Sequence, residues 1–356
     1  MTRGRVPLRL LVVLPSWVGD AVMATPALSL IRRRMPGILV GGLMRPGIDA
    51  LLAGSGLVDE VHVEPAGGMM GPKRAAAKVR PMRYDTALLL TNSFSTALTT
   101  RLAGIPRRIG YDRDLRGILL TDTLEAPRRR DGSWAIVPAV EYYLRLVREC
   151  LLGGEAAAGE EFLSLAVTQE QEREGRALLE RAGMVGVRYA VLNPGGNNPA
   201  KRWPAERFAG LARWLHEQHG LRCVVNGSPG ERELTERIVA MSGLGGLAAS
   251  LAGLGVTLGA LKQVVRESAL MVTNDTGPRH IAAAFGVPMV SLFGPTDHRW
   301  TTIPTRPGGP ERVVVADPTL PEEERANDHP ERCRIERIEE ERVREACVAV
   351  LAGASR

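Results

Sequence analysis

Two doubly wound α/β domains are what this sequence predicts, and three observations predict them. Short apolar strands alternate with helical stretches along the chain, the pattern of parallel sheets with crossover helices. Between residues 270 and 295 the run Leu270-Met-Val-Thr-Asn-Asp-Thr-Gly-Pro-Arg-His-Ile packs a strand, a polar glycine loop and a helix into a βαβ unit of near-minimal length. At 356 residues the chain is ample for two cores, and the small, polar, aperiodic stretch 153–160 divides the alternation into two series. Apolar residues make up 44% and aromatics 4%, which fits a soluble α/β protein.

In the first series a strand over 8–14 leads through Pro15-Ser-Trp-Val-Gly-Asp20 into a helix over 21–34. That helix ends in Arg32, Arg33 and Arg34, where the helix dipole favours cations. Strands follow at 38–44, 61–64, 86–90 and 107–111, with helices at 47–53, 73–83, 95–103 and 140–151 and an exposed loop at 128–133. The start resembles a leader, because Arg3, Arg5 and Arg9 precede an apolar run. The run is short and Pro15, Trp17, Gly19 and Asp20 follow it, so it reads as a buried strand. No run approaches the roughly 20 apolar residues of a membrane span.

The second series opens with a capping box, Thr168-x-x-Gln171, and a helix to about 182. A strand at 189–192 ends in Asn193-Pro-Gly-Gly-Asn-Asn-Pro-Ala-Lys-Arg202, and Trp203-Pro204 opens a helix to about 218. A strand at 222–226 runs into the turn Gly227-Ser-Pro-Gly-Glu231 and another helix. A helix at 257–267 leads to the βαβ unit, with strands at 270–273 and 288–293 and a helix from Pro278 for which Asp275 and Thr276 are caps. A charged helix at 335–351 closes the chain. No internal repeat is visible.

Charge is unevenly divided. Residues 1–150 hold 22 Lys+Arg against 13 Asp+Glu, the remainder 24 against 27. A basic half points to an anionic partner, although 42 Arg against four Lys also fits a solvated Arg-rich surface. Cys150, Cys223, Cys333 and Cys347 show no C-x-x-C spacing and read as reduced cytosolic thiols.

Chemistry concentrates at strand ends. The loop 274–277 presents backbone N–H groups and a positive helix end, the place where phosphate binds in open α/β sheets; an ordinary capped helix is the plain alternative. Asp20 is either an N-cap or a general base. In the 193–202 loop adjacent glycines, Gly195 and Gly196, allow close backbone approach, and Lys201 is a point charge for phosphate or a surface lysine beside a helix start. Glu231 either meets ribose hydroxyls or stabilises its own helix. Asp112-Arg-Asp114 matches a D-x-D metal pattern but lies among Arg107, Arg108, Arg113 and Arg116, so it reads as structural. His219, His280 and His298 are scattered, and no P-loop or dinucleotide fingerprint stands at a strand–helix junction.

These segments carry a resemblance. Leu14-Pro-Ser-Trp-Val-Gly-Asp-Ala-Val-Met-Ala24, the 193–204 loop, Asn274-Asp-Thr-Gly-Pro-Arg-His-Ile-Ala-Ala-Ala284 and Phe293-Gly-Pro-Thr296 resemble the ADP-heptose:lipopolysaccharide heptosyltransferases, glycosyltransferase family 9. The segments 84–94, 108–117 and 140–144 are similar to its type II branch. The resemblance implies a GT-B fold, an α/β pair of Rossmann-like doubly wound domains with an inter-domain cleft. The acceptor domain would span 1–158, the donor domain 159–335, and a last helix, 336–356, would pack back on the first.

It also implies inverting transfer of L-glycero-D-manno-heptose from ADP-heptose to the first inner-core heptose of lipopolysaccharide. No cofactor or metal would be needed. Carried over, Asp20 is the base. Gly195, Asn197, Lys201, Glu231, Asp275, Thr276, Gly277 and His280 serve the donor, and Asn92, Arg113 and Arg116 the acceptor. The expected partners are ADP-heptose, heptosyl-Kdo2-lipid A and the membrane surface, with no nucleic acid. The expected place is the cytoplasm at the inner face of the cytoplasmic membrane. The acidic run within 316–333 departs from the family, whose members often carry extra cysteines there. A type I or III acceptor specificity, or a non-catalytic nucleotide-sugar binder, are the alternatives. A basic nucleic-acid binder is poorer, since the few aromatics make no stacking platform.

Overall fold

A computed structural model describes residues 6–64, 68–130, 132–154, 161–306, 309–325 and 329–354. The chain divides into two compact units, Met1–Ala166 and Val167–Arg356. The division falls later than the expected 158, and most of the expected linker, 155–160, lies outside the described residues.

The first unit runs β1 (Arg9–Val13), α1 (Val18–Met23), α2 (Thr25–Arg34), β2 (Leu39–Met44), α3 (Ile48–Leu52), β3 (Glu60–Val63), α4 (Gly71–Val79), β4 (Thr86–Leu89), α5 (Phe94–Leu102), β5 (Arg107–Asp112), β6 (Asp122–Glu125) and α6 (Ala139–Leu146). Its sheet is parallel, in the order β3-β2-β1-β4-β5-β6. One helix was expected over 21–34, yet the chain breaks at Ala24. Pro26 has no N–H to give the carbonyl of Val22, four residues back. The Thr25 hydroxyl takes that carbonyl instead, at 2.7 Å.

The second unit runs α7 (Gln169–Arg181), β7 (Tyr189–Asn193), α8 (Ala205–His219), β8 (Arg222–Val225), α9 (Arg232–Ser242), β9 (Ala248–Ser250), α10 (Leu258–Glu267), β10 (Leu270–Asn274), α11 (Gly277–Phe285), β11 (Met289–Phe293), β12 (Glu311–Val315) and α12 (Glu340–Ala354). Its parallel sheet has the order β12-β11-β10-β7-β8-β9. The Thr168–Gln171 box caps α7 reciprocally, as its spacing requires. Gly286 ends α11 at φ +70°, a left-handed turn that side chains disfavour.

The last helix is part of this second unit rather than a separate segment. It packs on β11, β12 and α8. Val343, Cys347 and Val350 on α12 are fully buried in the same core as Trp203, Phe208 and Leu292. The turn before it is tied down as well, because the Trp203 indole donates to the Ile338 carbonyl at 2.8 Å.

In both sheets the first strand of the unit sits beside a strand from later in the chain: β1 beside β4, and β7 beside β10. At such a reversal adjacent crossovers leave on opposite faces, and a crevice opens at the strands' carboxyl ends. The residues just past β1, β4, β7 and β10 are therefore the ones the topology puts forward.

Candidate active site

In the second unit the topology brings the 193–202 loop against the 274–277 loop. Asn193 and Thr273 are level across β7 and β10. The Asn193 amide donates to Thr273 Oγ1 at 3.0 Å and Thr276 Oγ1 at 2.7 Å, while its oxygen accepts from Asn226 at 2.7 Å. Asn274 sends its amide to the carbonyls of Pro194 at 2.7 Å and Gly195 at 3.3 Å. Strand ends are thus pinned by buried amides, and the loops they carry are preset. Thr276 is the N-cap residue of α11, but its hydroxyl is spent on Asn193 and caps nothing. The expected side-chain cap is absent there because a tertiary partner takes the oxygen. Gly277 opens the helix, followed by Pro278.

Lys201 and Asp275 meet across these loops. The ammonium lies 2.9 Å from Asp275 Oδ2, with the lysine side chain 25% exposed and the aspartate 8%. Thr296 and Thr301 hydroxyls lie 3.4 and 3.5 Å from the same carboxylate. Burial alone would push the Asp275 carboxyl up. The charges of Lys201 and Arg279, with the lysine's hydrogen bond, outweigh it and hold the group below its usual range. His280, on the first turn of α11, is buried and pushed down to about 3 by burial first and by Arg279 second. It is neutral, and its Nδ1 has no hydrogen-bond partner among the described residues.

Glu231 serves the fold directly. Its carboxylate accepts from the Gly196 N–H at 2.8 Å, the Ser228 N–H at 2.8 Å and the Ser228 hydroxyl at 2.9 Å. A Cβ on Gly195 would run into the Glu231 carboxylate, so a side chain there would have to displace it. Burial opposes ionisation of Glu231, and the Ser228 and Gly196 amides outweigh it and lower its pKa. Asn197, the remaining expected donor residue, is exposed on the same loop.

In the first unit Asp20 is the third residue of α1, just past β1. Trp17 is the N-cap and makes no side-chain cap bond, so the capping alternative for Asp20 is set aside. The Tyr143 hydroxyl on α6 points at Asp20 Oδ1 from 3.5 Å. Burial and the Asp20 charge push the Tyr143 phenol far up, so it stays a donor.

The residues expected on the acceptor side separate. Arg116 is fully buried and donates to the carbonyls of Tyr111 (2.9 Å) and Thr91 and to Asn92 Oδ1 (3.1 Å). Burial lowers its pKa to about 10. With its guanidinium spent on backbone, Arg116 braces the loop after β4 and has no face toward a ligand, contrary to expectation. Asn92 also receives the Tyr142 hydroxyl at 3.3 Å. Arg113 lies 4.4 Å over the Trp134 ring, whose centroid is also 3.9 Å from Arg128. Of the D-x-D carboxylates, Asp114 sits 3.5 Å from Arg113, and Asp112 lies where a Cβ on Gly117 would meet it.

The family model described as glycosyltransferase family 9 (heptosyltransferase) matches residues 73–333. This chain belongs to that family. It is 30% identical to lipopolysaccharide heptosyltransferase 2 of Escherichia coli K12 over 302 residues, 83% of this chain and 85% of that one. It is 27% identical to lipooligosaccharide heptosyltransferase 2 of Haemophilus influenzae over 304 residues, again 83% and 85%. The solved ADP-heptose lps heptosyltransferase II of E. coli superposes with a TM-score of 0.80 at 25% identity, covering 98% of this chain and 100% of that one. A family 9 structure from Veillonella parvula DSM 2008 gives 0.80 at 21% identity over 97% of each chain, a likeness of fold. The family 9 chain is thus a glycosyltransferase of the GT-B class with two doubly wound units, as its motifs implied.

The sequence reading passed over Asn193, Asn226, Tyr143 and Arg279. An Asn at the end of consecutive buried strands was the available signal for the first two. Arg279 is 1% exposed. Its guanidinium contacts Glu311 at 2.7 Å, Ser291 at 3.1 Å and the Thr301 carbonyl at 2.7 Å. It therefore joins α11 to β12 and to the 297–302 loop that borders Asp275. Arg279→Met would leave the buried Glu311 carboxylate with the Ser291 hydroxyl but no counter-charge and is expected to cost about 3–5 kcal/mol. The double variant Arg279→Met/Glu311→Met removes both charges and should recover most of that loss in a denaturant titration. Equal destabilisation of the single and double variants would contradict this account.

Proposed function

We propose that this family 9 chain transfers L-glycero-D-manno-heptose from ADP-heptose to the first heptose of the lipopolysaccharide inner core, with inversion. One observation carries the reading beyond the family. The Lys201–Asp275 pair stands at the head of α11, beside the glycine loop that Glu231 and Asn274 hold open.

ADP leaves with growing negative charge. The Lys201 ammonium retains donor capacity beyond its bond to Asp275, and the α11 N-terminus adds its dipole. Asp275 holds the lysine, and Thr276 and Gly277 line the loop. Neutral His280 supports it from below without adding charge. Gly195 and Asn197 face the donor, and Glu231 offers its remaining lone pairs to the ribose. Asp20 accepts the proton of the attacking acceptor hydroxyl, with Tyr143 holding the carboxylate. Asn92 and Arg113 serve the acceptor, positioned by Arg116. Inversion needs one displacement, so one base and one stabilised leaving group suffice, without a metal.

We place the chain in the cytoplasm at the inner face of the inner membrane, with lipid-borne acceptor as partner and no nucleic acid. No helix among the described residues is long and apolar enough to cross a membrane. The test is ADP release on mixing protein, ADP-heptose and heptosyl-Kdo2-lipid A. Acceptor-dependent release, undiminished by EDTA, is expected. Release only with Kdo2-lipid A lacking heptose would reassign the acceptor. Loss of release in EDTA would overturn the metal-free mechanism.

A further inference from the structure

Eleven of the fourteen exposed large apolar residues among the described residues lie in the first unit; only Val185, Val313 and Val348 lie in the second. Six of the eleven belong to two neighbouring helices, α4 and α5, and the turns beside them. The helices α4 and α5 pack side by side, and the short 3-10 turn Arg116–Leu119 packs against α5 on its other side. Their inner residues, among them Ala75, Val79, Ala97 and Leu119, cover the sheet. Outward stand Met69 (97% exposed), Met70 (52%), Phe94 (44%), Leu102 (41%), Leu115 (87%) and Ile118 (84%). Leu115 and Ile118 are three residues apart, so a 3-10 turn sets them on one side. Leu115 adopts φ +60°, in the left-handed region, and holds its side chain in water all the same.

The same face is cationic. From residue 68 to 104 the sequence has six lysines and arginines and one acidic residue, Asp85. Asp85 is turned inward and accepts from the Leu8 and Arg9 N–H groups at 2.8 and 2.9 Å. Lys73, Arg74, Lys78 and Arg101 are exposed on α4 and α5. Glu64 is the nearest counter-charge, 3.2 Å from Arg74 and 3.8 Å from Lys78. Asp112 and Asp114 border the 3-10 turn, Asp114 beside Arg113. Scattered apolar side chains among cations suit neither a folded core nor a dry protein interface. They suit the boundary of an anionic bilayer, where methylene groups enter between headgroups and cations meet phosphates.

We propose that the α4–α5 face, with Met69, Met70, Phe94, Leu115 and Ile118, docks this chain on a bilayer of anionic phospholipid. It rests on the proposed function only in that the acceptor lies in a membrane. The face binds lipid headgroups whether or not a sugar acceptor is present.

The test uses full-length protein sedimented with vesicles of phosphatidylcholine alone or with 40% phosphatidylglycerol, free of any glycolipid. Tight partitioning to the anionic vesicles is expected, falling at least 10-fold from 50 to 300 mM salt, with little binding to neutral ones. Met69→Ser/Leu115→Ser/Ile118→Ser and, separately, Lys73→Gln/Arg74→Gln/Lys78→Gln should each weaken binding at least 10-fold. All substituted side chains are exposed, and unchanged thermal unfolding verifies the fold. Turnover on a water-soluble, acyl-free acceptor should stay at the wild-type level in both variants. Failure of that turnover in wild type would strike the proposed function and leave the docking face standing. Equal binding to neutral vesicles, or unaltered binding by both variants, overturns the proposal. Loss of binding in the charge variant alone overturns the insertion of the apolar residues and leaves a polyanion site.

Discussion

Asp20→Asn is expected to lower turnover by about 100- to 10,000-fold, the range general-base help supplies. The substitution is nearly isosteric. Trp17, not Asp20, is the N-cap residue of α1, so the fold should persist. The carboxylate is half-buried past β1 and faces the Tyr143 hydroxyl, a buried donor whose proton stays in place. A group so held can take a proton and pass it to water. Because the proposed donor loops lie in the second unit and Asp20 in the first, ADP affinity is expected to be unchanged in the variant. Steady-state rates with calorimetric ADP binding check both halves. Near-wild-type turnover in a folded variant would remove Asp20 from the chemistry.

Lys201→Ala is expected to cost about 100- to 1,000-fold in turnover, as loss of one preorganised charge-stabilising donor does. Here the loss is compounded. The lysine's charge is among those that keep the Asp275 carboxyl ionised despite burial. Without it a buried carboxylate stands uncompensated at the head of α11, where the proposed function seats the diphosphate, so ADP binding should also weaken. Lys201→Ala/Asp275→Asn separates the two effects. It should regain ADP affinity relative to Lys201→Ala, because the repulsion is gone, and should not regain the rate, because the cation is still missing. Unaltered turnover in Lys201→Ala would refute the phosphate role.

The candidate site was legible wherever its logic is local. A strand, a glycine loop and a helix start can be read from consecutive residues, and so Asp20, Lys201, Glu231 and the 274–277 loop were found at strand ends. What each side chain touches was not legible. Arg113 and Arg116 look alike in sequence, yet one stacks on Trp134 and the other is buried among carbonyls. The difference lies in which loops fold over them.

The fold divides in the same way. The sequence by itself determined the parallel α/β alternation, the Thr168 capping box and the βαβ unit at 270–295, since periodicity and capping act within a few residues. It did not reveal β6, β9 or β12, and all three are edge strands. An edge strand is short and half-exposed, so its apolar signal is weak, and only the neighbouring strand gives it form. Tertiary structure alone decided that α12 covers its own unit's sheet. It also decided that Thr276 answers Asn193 rather than its helix, and that the buried Arg279–Glu311 pair joins α11 to β12. Those partners are 83 and 32 residues apart in the chain. Such contacts depend on strand order, which sequence periodicity does not encode.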